Sequence, residues 1–256
     1  MTRTAIIAAM PAELKPLTRG WRHSRSNGVD LWRWSFADGE WIAACAGAGA
    51  QAATRAFAEV EKTGPLDKII STGWAGALRD NLAPGQALDV SAVIDARTGE
   101  RFLTKRAEIV VDGSPRSQNR DLGHPGLWLV TNPKVADAHE KLRLAETYSA
   151  SLVDMEASAI ARLAQMRGIP FYCIKGISDG YTDKLPDFNR FISPEGHFQT
   201  LRFALFALLR PTHWPALIRM GENSRMAARG IADSLLELLD KDGDIRKRNG
   251  YPNHKR

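Results

Sequence analysis

Short apolar runs alternate along the chain with segments whose apolar residues recur every three or four positions, the two periods that distinguish strands from helices. Residues 4–8 form a continuous apolar run bounded by Met10 and Pro11, which predicts a strand buried on both faces. Residues 31–36 and 41–46 flank Asp38-Gly39 and predict a β-hairpin. Residues 49–62 have helical spacing, and 68–72 predict another strand. Further strands are expected at 87–93 and 127–131, while the polar stretch 98–126 between them gives no clear element. Residues 155–167 predict a helix that stops at Gly168 and Pro170, followed by a buried strand at 171–177. A polar loop, 180–187, leads to a helix at 198–209 that Pro211 and Pro215 break. A last amphipathic helix, 223–239, has Met226, Ile231, Leu235 and Leu238 near one face. Alternation of this kind favours a layered α/β fold in a single domain.

Composition narrows the class without naming a function. The 256 residues are 44% hydrophobic and 25% charged, as in an ordinary soluble protein, and a cytoplasmic location is expected. No apolar run approaches the roughly 18 residues needed to cross a bilayer. The run at residues 5–9 is short and is followed by Pro11 and Glu13, so it reads as a first strand and not as a signal peptide. Cys45 and Cys173 both fall in strand-like segments, which suits two buried free thiols. Part of the net charge of +6 comes from a basic tail, 241–256, expected to be disordered. Nucleic-acid binding would predict aromatics interleaved with Lys and Arg in one stripe; here the basic residues are scattered or terminal, so no nucleic-acid partner is expected.

In an open α/β sheet, ligands bind beyond the carboxyl ends of the strands. Met10-Pro11-Ala12-Glu13 follows the first strand, Gly47-Ala48-Gly49 follows the strand at 41–46, and Gly73-Trp74-Ala75-Gly76 follows that at 68–72. Asp154-Met155-Glu156 precedes a helix, and Ser178-Asp179 ends the strand at 171–177. Three acids and two glycine turns therefore gather where a pocket would form. Taken singly, each has a plain structural role: Glu13 and Glu156 favour a helix N-terminus, Ser178-Asp179 is a common turn pair, and the glycines serve tight turns. The glycine pairs lack the spacing of a dinucleotide or P-loop fingerprint.

Taken in order, the segments 8–13, 72–78, 153–161 and 175–179 resemble the purine nucleoside phosphorylase/uridine phosphorylase superfamily, and within it the branch containing 5'-methylthioadenosine/S-adenosylhomocysteine nucleosidase. The Val153-Asp154-Met155-Glu156-Ala157 and Ile177-Ser178-Asp179 motifs are the most specific part, and the resemblance covers about residues 4–210. It implies a three-layer α/β/α fold with a twisted, mixed central sheet, and cleavage of an N-glycosidic bond with no metal or organic cofactor. It matches Asp179 to the acid that protonates the departing purine, Glu13 to the acid that orients the attacking water, and Glu156 to the acid that binds ribose hydroxyls. Met155 is matched to a residue packing on the sugar and Ser178 to one orienting Asp179. Ala75, Gly76, Met10 and Phe188 are expected beside them in the substrate wall.

The nucleophile is the open question. A phosphorylase, with inorganic phosphate as co-substrate, must gather anion-binding groups, for which Gly47, Gly49 and Arg55 are the candidates. Ala50-Gln51-Ala52 follows that turn without the hydroxyl expected beside phosphate, and Glu13 suits water better than a neighbouring anion. Hydrolysis is therefore favoured. Departures from the family pattern are Trp74, where nucleosidases usually have a small residue, and Lys175-Gly176 in place of arginine-alanine. Beyond residue 210, Trp214, Pro215, Leu217 and Ile218 with Arg210 and Arg219 make a basic, apolar stretch within a helical extension, 211–240. It reads as a helix packed on the domain or on a second subunit, or as a patch for peripheral membrane contact or an apolar substrate tail. In the latter case the chain resembles the hopanoid-associated phosphorylases, which implies an adenosyl-lipid substrate. A homo-oligomer, with a dimer favoured, is expected from the nucleosidase-like motifs. The other-class alternative is a nucleoside-binding protein without catalysis, against which the joint presence of Glu13, Glu156 and Asp179 argues.

Overall fold

The computed structural model describes residues 2–105, 126–183, 186–193, 195–210 and 214–240. The basic tail and residues 106–125 of the unassigned stretch lie outside the described residues, as does Pro211. In chain order the elements are β1 (Thr2–Ala8), α1 (Pro11–Leu14), β2 (Arg22–Ser26), β3 (Val29–Phe36), β4 (Gly39–Cys45), α2 (Ala50–Glu61), β5 (Lys68–Ser71), β6 (Trp74–Ala77), β7 (Ala87–Asp89), β8 (Ala92–Asp95) and β9 (Arg101–Leu103). They continue with β10 (Trp128–Thr131), α3 (Ala138–Tyr148), β11 (Leu152–Asp154), α4 (Ala157–Met166), β12 (Phe171–Asp179), a 3-10 turn (Phe188–Phe191), α5 (Thr200–Leu208) and α6 (Trp214–Asp240).

The strands form one mixed sheet in the order β2-β3-β4-β1-β5-β12-β6-β11-β10-β8-β9, with β7 also paired to β12. β1 is parallel to both β4 and β5. β12 joins the two halves, pairing with β5 through Phe171–Cys173 and with β6 through its later residues. The period of two in β1 divides the core between the layers. Ala5 and Ile7 pack in a cluster with Ala52, Ala56 and Phe57 of α2 and Ile160 and Ala161 of α4. Ile6 and Ala8 pack on the opposite face with Ile231, Ala232, Leu235 and Leu239 of α6. A third cluster joins Leu144 of α3 to Ile94, Val130 and Val153 of the sheet. These are the three layers that the family resemblance implies.

Several elements differ from the sequence expectation. The strand expected at 87–93 is two strands, because the chain changes partner: β7 pairs with β12 and β8 with β10. The glycine turn at 73–76 is in part β6, parallel to β12 and antiparallel to β11. The last helix begins at Trp214, nine residues before the expected start at 223, and Pro215 does not break it. In the first turn a proline has no intrahelical N–H bond to lose. Its buried stripe is Ala227, Ala228, Ile231, Ala232, Leu235 and Leu239, whereas Met226, placed on that face by the pattern, is half exposed. The helix lies close on β12 because residue 176 is glycine: a Cβ there would meet the Ala227 Cβ at 2.8 Å.

Candidate active site

A cavity of about 360 Å³ opens where β1, β11 and β12 end and β6 begins. Its lining contains Asp179, Glu13, Glu156, Met155, Ser178, Ala75, Gly76, Met10 and Phe188, so the structure brings all these sequence candidates together. Trp74 lines it as well, and its indole N–H donates to the Ser224 carbonyl at 3.0 Å, fastening α6 to the rim. Among the described residues, no group of three or more His, Cys, Asp or Glu is placed to hold a metal ion.

Asp179 reaches the cavity because β12 slips its register against β6. Ile177 pairs with Ala75 but Asp179 pairs with Gly76, leaving Ser178 as the additional residue. Such a bulge re-aims neighbouring side chains, here placing both Ser178 and Asp179 in the lining. Ser178 Oγ donates to Asp179 Oδ1 at 2.6 Å. Asp179 Oδ2 accepts from the ammonium of Lys141, a buried residue of α3 that also donates to the Gly180 carbonyl at 2.7 Å.

Glu13 lies in the first turn of α1, where its Oε2 accepts from the Met10 N–H at 2.7 Å and its Oε1 from the Trp74 N–H at 2.8 Å. The helix-terminus role and the pocket position are thus held by one side chain. Gly73 makes room for it: with φ of +120° it adopts a conformation that L residues avoid, and a Cβ there would lie 2.8 Å from Glu13 Oε1. Burial raises the Glu13 pKa above the ordinary carboxylate value, against the lowering effect of its two amide donors and of Lys175.

Glu156 occupies the N-cap position of α4, and its side chain accepts from the Gly49 N–H at 2.6 Å. Burial, and then the neighbouring Asp154 charge, push its carboxyl up to about 7, with Lys175 acting in the opposite sense. Lys175 is fully buried on β12, bonded to Asp154 Oδ2 at 2.8 Å and to the Thr72 carbonyl at 3.0 Å. Burial opposes its charge, yet Asp154, Cys173 and Glu156 more than offset that and raise its pKa. Asp154 in turn accepts from Thr131 Oγ1 at 2.7 Å and from the Ala157 N–H at 2.9 Å. A fixed cation therefore sits behind the acidic floor of the cavity.

The groups considered for phosphate are placed otherwise. Gly47, Gly49 and Arg55 are absent from the lining, and Ala48 alone of that turn borders the cavity. The three amides are engaged within the protein: Gly47 N–H donates to Ala9 O at 3.0 Å, Ala48 N–H to Gly196 O at 2.7 Å and Gly49 N–H to Glu156. The Arg55 guanidinium donates to the carbonyls of Ala46 at 3.0 Å and Glu195 at 2.6 Å. Through Nη2 it clasps two loops together outside the cavity lining.

Sequence reasoning missed part of the wall. Ile192, Phe198 and Phe203 line the cavity beside Phe188, whose ring centroid is 5.4 Å from that of Phe203, and Met220 and Ser224 come from α6. The cluster of phenylalanines at 188, 191, 198 and 203 was the available signal. Lys141 and Lys134 also line the cavity without having been singled out.

Comparison with known proteins adds kinship to this geometry. A family model described as the phosphorylase superfamily matches residues 3–210. The chain is 26% identical over 230 residues to a 5'-methylthioadenosine/S-adenosylhomocysteine nucleosidase of Shewanella halifaxensis (strain HAW-EB4), covering 81% of this chain and 99% of the relative. Its fold is similar to that of Helicobacter pylori 5'-methylthioadenosine/S-adenosyl homocysteine nucleosidase, with a TM-score of 0.67 at 16% identity over 94% of this chain and 98% of that one. It is similar to the same degree to futalosine hydrolase of Helicobacter pylori strain 26695, with a TM-score of 0.67 at 15% identity over 94% and 98% of the two chains. The structural overlap, at 94% of this chain, extends past residue 210, where the match to the family model ends.

Proposed function

The chain belongs to the phosphorylase superfamily and is an enzyme of N-glycosidic bond cleavage, and from that premise we propose that it hydrolyses a purine nucleoside to free base and free sugar. The observation that carries hydrolysis is the pairing of Glu13, a buried carboxylate at the cavity, with a glycine turn whose amides are already engaged. Burial makes this carboxylate a stronger base toward a water molecule than an ordinary one, whereas a phosphate beside it would meet like charge. In this reading Asp179 lies at the departing base and delivers its proton, Glu156 holds the ribose hydroxyls through charge-assisted hydrogen bonds, and Met155 packs on the sugar. Adenine is the favoured base, in keeping with the relative named for 5'-methylthioadenosine. The futalosine hydrolase likeness keeps other purine nucleosides within the range to be tested.

The test is incubation with adenosine, methylthioadenosine, inosine and uridine, with and without phosphate, with free base and sugar quantified. Base release without phosphate is expected, falling by ~10²–10⁴-fold in Asp179→Asn, the usual contribution of a positioned general acid. Release only with phosphate, yielding a sugar 1-phosphate, overturns the hydrolytic reading.

A second reading concerns the sugar 5' substituent. α5 carries Phe203 in the cavity wall and Leu201, Leu205 and Leu208 on its exposed side, with Leu209, Trp214 and Ile218 exposed nearby in sequence. Exposed apolar residues on the helix that supplies Phe203 to the pocket wall and just after it, with Arg202, Arg210 and Arg219 among them in sequence, suit a nucleoside with a long apolar tail presented at a membrane surface. Sedimentation with anionic liposomes tests this: no binding, together with full activity on small nucleosides, removes it.

A further inference from the structure

We infer that Lys141 and Asp179 act as one proton-donating unit, in which Lys141 is the positioning residue that keeps a transferable proton at the Asp179 carboxylate while the base departs. The inference rests on the cleavage reading above and deepens it. Lys141 is 1% exposed, whereas its helix neighbours Glu140 and Arg143 pair with each other at the surface. Its ammonium donates to Asp179 Oδ2 and to the Gly180 carbonyl, and Ser178 donates to Asp179 Oδ1. Both carboxylate oxygens thus have a hydrogen-bonding partner: the Lys141 ammonium at Oδ2, and at Oδ1 the Ser178 hydroxyl, which also lies 3.3 Å from the Ala75 carbonyl. The ammonium is a proton source in direct contact with the carboxyl group that lines the cavity.

The local backbone is built around this pair. A Cβ on Gly76 would lie 3.0 Å from Asp179 Oδ2 and 3.2 Å from Lys141 Cε, so glycine there leaves space for both groups. A buried ion pair is by itself weak evidence for stability, since desolvation offsets much of the attraction. Its place in a cavity lining, at the acid, gives it a chemical reason instead. The other ionisable groups facing this space are Lys134 before α3, Glu13 on α1, Asp154 at the end of β11 and Glu156 after it. Asp183, beyond β12, accepts from the Gly180 N–H. Asp154 is paired with Lys175, so Lys141 is the cation in contact with Asp179.

The proton balance closes. As the bond between the anomeric carbon and the base nitrogen breaks, its electron pair passes to the purine, and a ring nitrogen takes a proton that passes from the Lys141 ammonium across the Asp179 carboxylate, leaving the lysine a neutral amine. Water adds to the anomeric carbon and its proton goes to Glu13. Exchange with solvent returns a proton from Glu13 to Lys141, leaving base and sugar as the products of nucleoside and water.

The experiment compares Lys141→Met with wild type on a purine nucleoside and on the nitrophenyl glycoside of the same sugar, whose leaving group departs as an anion without a proton. Expected is a ~10²-fold loss in kcat on the nucleoside at pH 8, at the lower end of general-acid contributions, with KM changed much less. The loss on the nitrophenyl glycoside is expected to be at least about tenfold smaller, and the alkaline limb of the nucleoside profile moves to lower pH. Lys141→Met in an Asp179→Asn background is expected to add no further loss, since the lysine acts through the aspartate. Lys141→Arg retains the charge but does not release its proton, so it shows the same substrate-selective loss. Equal losses on the two substrates with an unchanged pH profile, or full nucleoside activity in Lys141→Arg, would overturn the unit. Wild type failing on both substrates overturns instead the cleavage reading beneath it.

Discussion

Glu156 is held between two demands. Its burial, with Asp154 nearby, raises the carboxyl to about 7, while gripping sugar hydroxyls requires the ionised form. The kcat/KM for a nucleoside is therefore expected to rise with pH through a limb near 7, and Glu156→Gln removes both that limb and most of the affinity. Stability moves in the opposite sense. The folded state holds this proton more tightly than the unfolded chain, so the contribution is full below the ordinary value of 4.5 and is lost as pH rises through about 7. Glu156→Gln is then more stable than wild type at pH 8, by on the order of 3 kcal/mol for a shift from 4.5 to about 7, as thermal unfolding at pH 5 and 8 would measure. Glu13, Glu156 and Asp179 were legible in the sequence because each follows an apolar strand, at the end where such sheets bind ligands. Lys141 was not, because the segment around it is rich in charges and reads as a solvated helix; Lys141 and Leu144 are its buried residues, with Ala145 and Tyr148 partly buried beside them.

At the level of elements, the join between the 47–49 turn and the 195–196 loop sets one wall of the site. Gly47 has a φ of +114°, and a Cβ on it would lie 2.4 Å from the Gly196 carbonyl oxygen. Gly47→Ala is expected to cost about 1–3 kcal/mol from the backbone conformation alone, and to part the loops that Arg55 clasps. Gly28→Ala is the control: φ there is +76° but nothing lies within 4 Å of the added carbon, so urea titration should find a smaller loss with activity kept. The contrast also explains which elements the sequence reveals. β1 and β4 were plain because they are buried on both faces. β2 was missed although Asn27-Gly28, both with positive φ, makes a favoured hairpin turn, because its residues Arg22 to Ser26 are polar throughout and show no alternation. β6 hid among glycines, whose small size serves Glu13, Lys141 and Asp179 and not the strand.

Across the whole molecule, α6 decides whether the region beyond residue 210 is an addition or a layer. It covers one face of the sheet, burying Ile231 and Leu235 against Ile6, Ala8 and Ile174, and gives Met220 and Ser224 to the cavity. Sequence motifs could not disclose this, because the recognisable segments end before it and a helix covering a sheet carries only an apolar stripe. Two variants separate the faces of this region. A chain truncated after residue 210 loses the cover of that core cluster together with the Trp74 anchor, and is expected to be insoluble or to unfold without a cooperative transition. Leu205→Glu with Leu209→Glu changes residues that are 54% and 79% exposed, so the double variant should unfold within about 1 kcal/mol of wild type and hydrolyse small nucleosides at the wild-type rate. If the apolar surface serves a membrane-borne substrate, only the double variant's liposome binding falls. A truncated chain that folds and cleaves nucleosides would instead make α6 dispensable and return the region to the status of an extension.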